Sequence, residues 1–137
     1  MANHEGGCLC GKVRFSVGGP ASDSGYCHCR MCQRNSGAPV VAWTIFSAAG
    51  FSWTAGSPAT YASSPGIRRQ FCASCGSYLT FQRQDSKEIS INTASLDDPA
   101  AFPPRMHIFE ESRIPWFHTD DDLPRHIGYG PFSSDSD

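Results

Sequence analysis

Seven cysteines, Cys8, Cys10, Cys27, Cys29, Cys32, Cys72 and Cys75, set the chemistry this chain can do. They fall into three clusters: C-x-C at 8 and 10, C-x-C-x-x-C at 27, 29 and 32, and C-x-x-C at 72 and 75. An odd count does not suit a disulfide framework, and clustered thiols in a reducing compartment read as metal ligands or redox groups. Zinc takes four thiolate or imidazole ligands at about 2.0–2.3 Å, and two cysteines on one tight turn can both reach it. Each outer pair is followed by a glycine, Gly11 or Gly76. A glycine there can take positive φ, so that backbone amides turn back toward the sulfurs. Two such knuckles make one four-cysteine site of Cys8, Cys10, Cys72 and Cys75. Closed on all sides, it would be structural and would contribute on the order of 10 kcal/mol or more to folding. The bland alternative is buried free thiols.

Cys27, Cys29 and Cys32 lie within six residues and can share a second ion. Three protein ligands with a fourth position for water or a substrate thiol is the arrangement of catalytic zinc. Three thiolates also leave zinc less negative than four do, hence a better Lewis acid. Two other readings stay open. His107 or His118 could close the site as a fourth ligand, whereas His28, between two ligands, points the other way. Alternatively, the cluster is a redox switch, because low-pKa C-x-x-C thiols oxidise readily.

The elements that must carry these ligands read as strands. Val13, Phe15 and Val17 alternate, as do Ile89 and Ile91, and Val40 to Phe46 is a continuous apolar run. Phe51 to Thr54 and Ala59 to Ala62 are short strand candidates. Ile67 to Cys72 and Tyr78 to Arg83 form the arms of a hairpin around the last cysteine pair. Gln33 to Pro39 reads as a turn or one helical turn closed by Gly37. Asp97 to Ala101 reads as a short helix with Pro99 in its first turn, and Arg105 to Glu110 as a further strand. Residues 133–137 form a polar, frayed tail. With 13 Gly and 10 Pro there is little room for long helices. The expectation is a single all-β domain of 137 residues.

A formal net charge of −2 gives no basic field for nucleic acid. No apolar stretch approaches the ~20 residues of a membrane span. Met1 to Gly7 lacks a basic segment followed by an apolar one, which argues against a secretory signal and for the cytoplasm.

Gly7-Cys8-Leu9-Cys10-Gly11-Lys12-Val13, Cys27-His28-Cys29-Arg30-Met31-Cys32 with Gly37-Ala38-Pro39, and Phe71-Cys72-Ala73-Ser74-Cys75-Gly76 resemble the glutathione-dependent formaldehyde-activating enzyme family. His107-Ile108 and Ser112 to Trp116 resemble that family's last strand and the segment after it. The likeness runs from about Gly6 to Pro124. It implies coiled, mostly antiparallel β-sheets and two zinc ions per chain. One would be structural, on Cys8, Cys10, Cys72 and Cys75, and the other functional, on Cys27, Cys29 and Cys32. It also implies carbon–sulfur lyase chemistry on glutathione and formaldehyde. A thiol bound at the open zinc would lose its proton and attack a small carbonyl carbon. His28, Arg30 and Arg34 flank the ligands and could meet a carboxylate or move a proton, and Trp116 is a candidate pocket wall. The competing expectation is a non-catalytic zinc module that binds a thiol ligand or a protein partner.

Overall fold

The computed structural model describes residues 3–135. The chain runs β1 (Asn3–Gly7), β2 (Arg14–Gly18), β3 (Asp23–Cys27), α1 (Arg30–Ser36), β4 (Val41–Ser47), β5 (Phe51–Ala55), β6 (Ala59–Ser64), β7 (Ile67–Phe71), β8 (Tyr78–Arg83), β9 (Glu88–Asn92) and β10 (His107–Ile108), with 3₁₀ turns between. Two sheets result, one ordered β1-β2-β5 and the other β10-β3-β4-β9-β8-β7-β6. All pairings are antiparallel except that of β10 with β3. The fold is mainly β, as the alternation and the Gly and Pro content led one to expect.

Two apolar cores divide the molecule. In one, Val13, Phe15 and Val17 meet Phe46, Leu79, Ile89 and Ile91, and Cys8 and Cys72 are buried among them. In the other, Val41, Trp43, Met106 and Ile108 surround Cys27 and Cys32. Strand β4 belongs to both: alternation sends Val41 and Trp43 to one face and Thr44 and Phe46 to the other. That accounts for its nearly continuous apolar sequence, since a strand covered on both faces has no solvated side. The buried Thr44 hydroxyl is satisfied by that of Thr93 at 2.7 Å.

Several features differ from the sequence reading. Strands β1 (NHEGG) and β3 (DSGYC) have no apolar alternation, and their place in the sheets rests on close backbone packing. A Cβ at Gly6 would collide with the Phe15 ring and the Ser95 carbonyl, and one at Gly25 would lie 2.6 Å from Trp43. The expected single turn over Gln33 to Pro39 is a seven-residue helix that starts earlier, at Arg30, and ends at Gly37 in the left-handed region (φ 72°). The strand expected over Arg105 to Glu110 shrinks to two residues, because Phe109 turns to φ 54° and a 3₁₀ turn follows at Glu110–Ser112. Only the 3₁₀ turn Pro99–Ala101 forms within Asp97 to Ala101. Of the expected tail, 133–135 continue a 3₁₀ segment, Gly130–Asp135, and 136–137 lie outside the described residues.

Candidate metal centres

The turn between β1 and β2 carries Cys8 and Cys10, and the turn between β7 and β8 carries Cys72 and Cys75. Antiparallel pairing within each hairpin closes each turn. Packing of the two sheets then brings the turns together across a sequence separation of 62 residues. The sulfurs of Cys8 and Cys10 are 3.6 Å apart, and those of Cys10 and Cys72 are 3.8 Å apart. Four thiolates at about 2.3 Å from a central ion have edges of about 3.8 Å, so this group fits tetrahedral zinc. Gly11 (φ 80°) and Gly76 (φ 78°) take the positive φ expected of them. The amides of Val13 and Cys75 donate to Cys8 Sγ (3.3 Å) and Cys72 Sγ (3.4 Å). Ser77 Oγ lies 3.2 Å from Cys75 Sγ, and that hydroxyl contact leads the causes that lower the Cys75 thiol to about 5. Such donors favour the thiolate form that a metal needs. Every cysteine is a free thiol, and none is in a disulfide.

The second cluster is built on a strand-to-helix corner. Cys27 ends β3, Cys29 is the N-cap of α1, and Cys32 lies in the first turn of that helix. The Cys32 amide donates to Cys29 Sγ at 3.3 Å, so the capping bond that starts the helix also stabilises charge on a sulfur. Hydrogen bonds from Cys27 and then Cys32 pull the Cys29 thiol down to about 2. The same bonds, to Cys29 first, push Cys27 up, and burial adds to this. Among the described residues, no His, Asp, Glu or further Cys joins these three sulfurs within 4.8 Å. His107 belongs to another cluster and His118 is exposed, so neither closes the site. Both cysteine groups could hold zinc.

The three sulfurs line a cavity of about 980 Å³, with Trp43, Phe81 and Phe109 among its apolar walls. Two polar groups there escaped the sequence reading. Arg69, only 5% exposed, is held by Ser63 Oγ at 3.1 Å, lies over the Phe81 ring and reaches 3.8 Å from Cys32 Sγ. Tyr78 lines the same space, and burial, with the nearby Cys32, raises its hydroxyl pKa. A sequence signal for Arg69 did exist. Ile67, Arg69 and Phe71 share one face of β7, so an arginine occupies a register whose neighbours are apolar.

The groups expected near substrate lie elsewhere. Arg30, Arg34 and Trp116 line a separate depression of about 280 Å³ on the far side of α1, which none of the cysteines lines. His28 is fully buried and lines neither space; it bonds to His107 at 2.8 Å.

A mainly β fold with two cysteine clusters that could hold zinc, one of four sulfurs and one of three facing a cavity, defines a small β-protein of the metal-knuckle type. The sequence model of the glutathione-dependent formaldehyde-activating enzyme family matches residues 3–112, and the chain belongs to that family. A protein from Rhodobacter sphaeroides of known crystal structure is similar in fold, with a TM-score of 0.58. It is 26% identical, and the match covers 68% of this chain and 87% of that one. Among curated proteins none matches the sequence. No helix among the described residues is long and apolar enough to cross a membrane.

Proposed function

We propose that this chain is a zinc-dependent carbon–sulfur lyase that forms or cleaves a thiol–aldehyde adduct such as S-hydroxymethylglutathione, with Cys27, Cys29 and Cys32 as the ligands of its working ion. One observation carries the reading: three thiols, with no fourth protein donor among the described residues, line a cavity large enough for a tripeptide-sized ligand, whereas the other cluster has four. Cys8, Cys10, Cys72 and Cys75 hold the second ion in a structural role, giving two zinc ions per chain.

A zinc ion on the three cysteines would stabilise an incoming thiol as its thiolate. The chain's own groups do the rest. Arg69 brings a fixed positive charge beside Cys32, where it offsets the sulfur charge and meets a substrate carboxylate. Tyr78, held protonated by burial, donates its Oη proton toward the aldehyde oxygen as charge develops there. The S–C bond forms, the carbonyl π pair moves to oxygen, and the thiol's proton is in effect transferred to that oxygen. The reverse path splits the adduct. The apolar walls, Trp43, Phe81 and Phe109, keep bulk water from the reacting carbon. The carboxylate-binding and proton-moving roles expected of His28, Arg30 and Arg34 pass in this reading to Arg69 and Tyr78, and the wall expected of Trp116 to Trp43, Phe81 and Phe109.

Protein purified without added zinc should contain two zinc ions per chain, and glutathione should perturb one of them. In a cobalt-substituted sample that perturbation is a new sulfur-to-metal absorption band. Exchange of formaldehyde between free and glutathione-bound forms, followed by NMR, should be faster than the uncatalysed rate. Glutathione binding without acceleration would assign the chain to the non-catalytic alternative, a thiol-binding module. A single zinc per chain would remove the proposal.

A further inference from the structure

His28 is the buried group that the reading above leaves unused, and it sits between two of the three cysteines. Along extended chain, neighbouring side chains point to opposite sides, so turning Cys27 and Cys29 toward the cavity turns His28 into the wall behind it. There its Nε2 lies 2.8 Å from His107 Nδ1. The other nitrogen of His107, Nε2, lies 3.1 Å and 3.2 Å from the two carboxylate oxygens of Asp121 and 3.3 Å from the Thr119 hydroxyl. Both rings are wholly buried. A carboxylate can only accept, so His107 carries its proton on Nε2, its Nδ1 presents a lone pair, and His28 Nε2–H donates to that lone pair. The Asp121 carboxyl is held at about 2, against the burial that raises it, by Thr119, the Leu123 amide and His107.

His28, His107 and Glu110 also bring three donor atoms within 4.8 Å of one another, which raises the question of a third metal. The ring geometry answers it. The imidazole planes are 24° apart and their centroids 5.1 Å apart. With nitrogens in 2.8 Å contact, that is the separation of two rings meeting edge to edge across one N–H···N bond. Their lone-pair axes lie along one line instead of converging on a common point. Glu110 is engaged through Oε1 by Arg113 and Arg125, and its buried Oε2 lies 3.5 Å from His28 Nε2.

The backbone fixes the same corner. The His28 amide donates to Ile108 O at 3.1 Å, Gln33 Nε2 donates to His28 O at 2.7 Å, and β10 sets His107 beside Tyr26 and Ile108 beside Cys27. The Tyr26 ring stacks on His107 at 4.9 Å. A ring so held cannot turn, and with the backbone bonds it fixes the stretch of chain from which Cys27 and Cys29 project.

We infer that Asp121, His107 and His28 form a carboxylate–imidazole–imidazole chain that orients Cys27 and Cys29 from behind, making all three positioning residues of the three-cysteine centre. The inference rests on the reading that this centre holds an ion. Partners of this kind typically change metal affinity by about ten- to a hundred-fold.

The test is a cobalt(II) titration of the full chain, in which affinity and d–d band shape are read for each ion. The wild type should take up two ions. In His28→Leu and His107→Leu the tighter, four-cysteine ion should bind as before, while the weaker ion loses about ten- to a hundred-fold in affinity and its bands change shape. His28→Gln keeps an N–H donor near the Nε2 position and should restore part of the loss. Asp121→Asn, at the partly exposed end of the chain, should show the same change in smaller degree and serves if the leucine variants do not fold. Two ions in the wild type with the weaker one unaltered in every variant would overturn the inference alone. Equal weakening of both ions would also overturn it, as general damage to the fold. A third ion that His107→Leu abolishes would overturn it in favour of a metal site. A wild type that binds one ion would take away the three-cysteine centre and this inference together.

Discussion

The two cysteine clusters use the same ligand atom and similar spacing, yet they are embedded differently. Cys8, Cys10, Cys72 and Cys75 come from two hairpin turns far apart in sequence, and two of the four sit inside the larger apolar core. Cys27, Cys29 and Cys32 come from one corner of chain, where a strand ends and a helix begins. The first arrangement exchanges chain entropy for cross-linking: an ion there joins segments that nothing local holds together. The second joins nothing distant. Its three sulfurs sit on one corner, where a helix-capping bond reaches Cys29 Sγ, and they face a cavity. On the proposed reading, ligand origin, more than ligand type, separates a site that holds the fold from one that is free to do chemistry.

That contrast is open to direct attack. The largest expected effect belongs to Cys72→Ala. Losing an ion worth on the order of 10 kcal/mol from a domain whose whole stability is about 5–15 kcal/mol should unfold it. Loss of near-UV circular dichroism at 25 °C is the readout. Cys29→Ala should keep that signal and lose one metal ion and glutathione binding. Identical unfolding of both variants would erase the distinction. Next comes Arg69→Met, which removes a buried charge from the cavity and should weaken glutathione binding by about ten- to a hundred-fold, the range for hydrogen bonds to charged groups. Calorimetry reads this directly, and Arg69→Lys should recover only part of it because a single ammonium lacks the guanidinium's fork.

A smaller effect is expected beside the closed site. Arg14 and Asp97 pair there, with NH1 to Oδ1 at 3.0 Å, tying β2 to the segment after β9. The hydrogen bonds from Arg14 lower the Asp97 pKa. A carboxylate lowered in the folded state stabilises above its unfolded value, about 3.9, and that contribution fades as pH falls through the folded value. Both side chains are partly exposed, at 33% and 55%, so Asp97→Asn should cost at most about 1 kcal/mol at pH 7. The gap to wild type should close in thermal melts taken below about pH 4. The smallest effect belongs to Trp116→Ala. This side chain is 74% exposed and lines the depression on the far side of α1, so stability should shift by no more than about 0.5 kcal/mol and glutathione affinity should not move.

Metal-binding potential was legible because its signal is local: ligands a few residues apart with glycines behind them need no tertiary knowledge. The strands with apolar alternation, β2 and β9, and the doubly covered β4 were legible for the same reason. Strands β1 and β3 were not, because Gly6 and Gly25 matter through what they allow to approach, and Phe15 and Trp43 come from other strands. Arg69 is an intermediate case: its register between Ile67 and Phe71 marks it in the sequence, but only the pairing of β7 with β8 and the placing of α1 show that it reaches Cys32. Sequence proximity misled in the opposite direction at Arg30 and Arg34. They adjoin the ligands along the chain, but helical rotation carries them around α1 to the other side.

The 62-residue span between Cys10 and Cys72 has a consequence for synthesis on the ribosome. The amino-terminal hairpin emerges first but has no counterpart to close against until the turn after β7 has left the exit tunnel. Throughout that interval Cys8 and Cys10 are a bare dithiol on a nascent chain, open to oxidants and to competing soft metals. The order of translation thus sets a window, several seconds long at about 5–20 residues per second, in which those two thiols stand without the partners that face them in the folded chain.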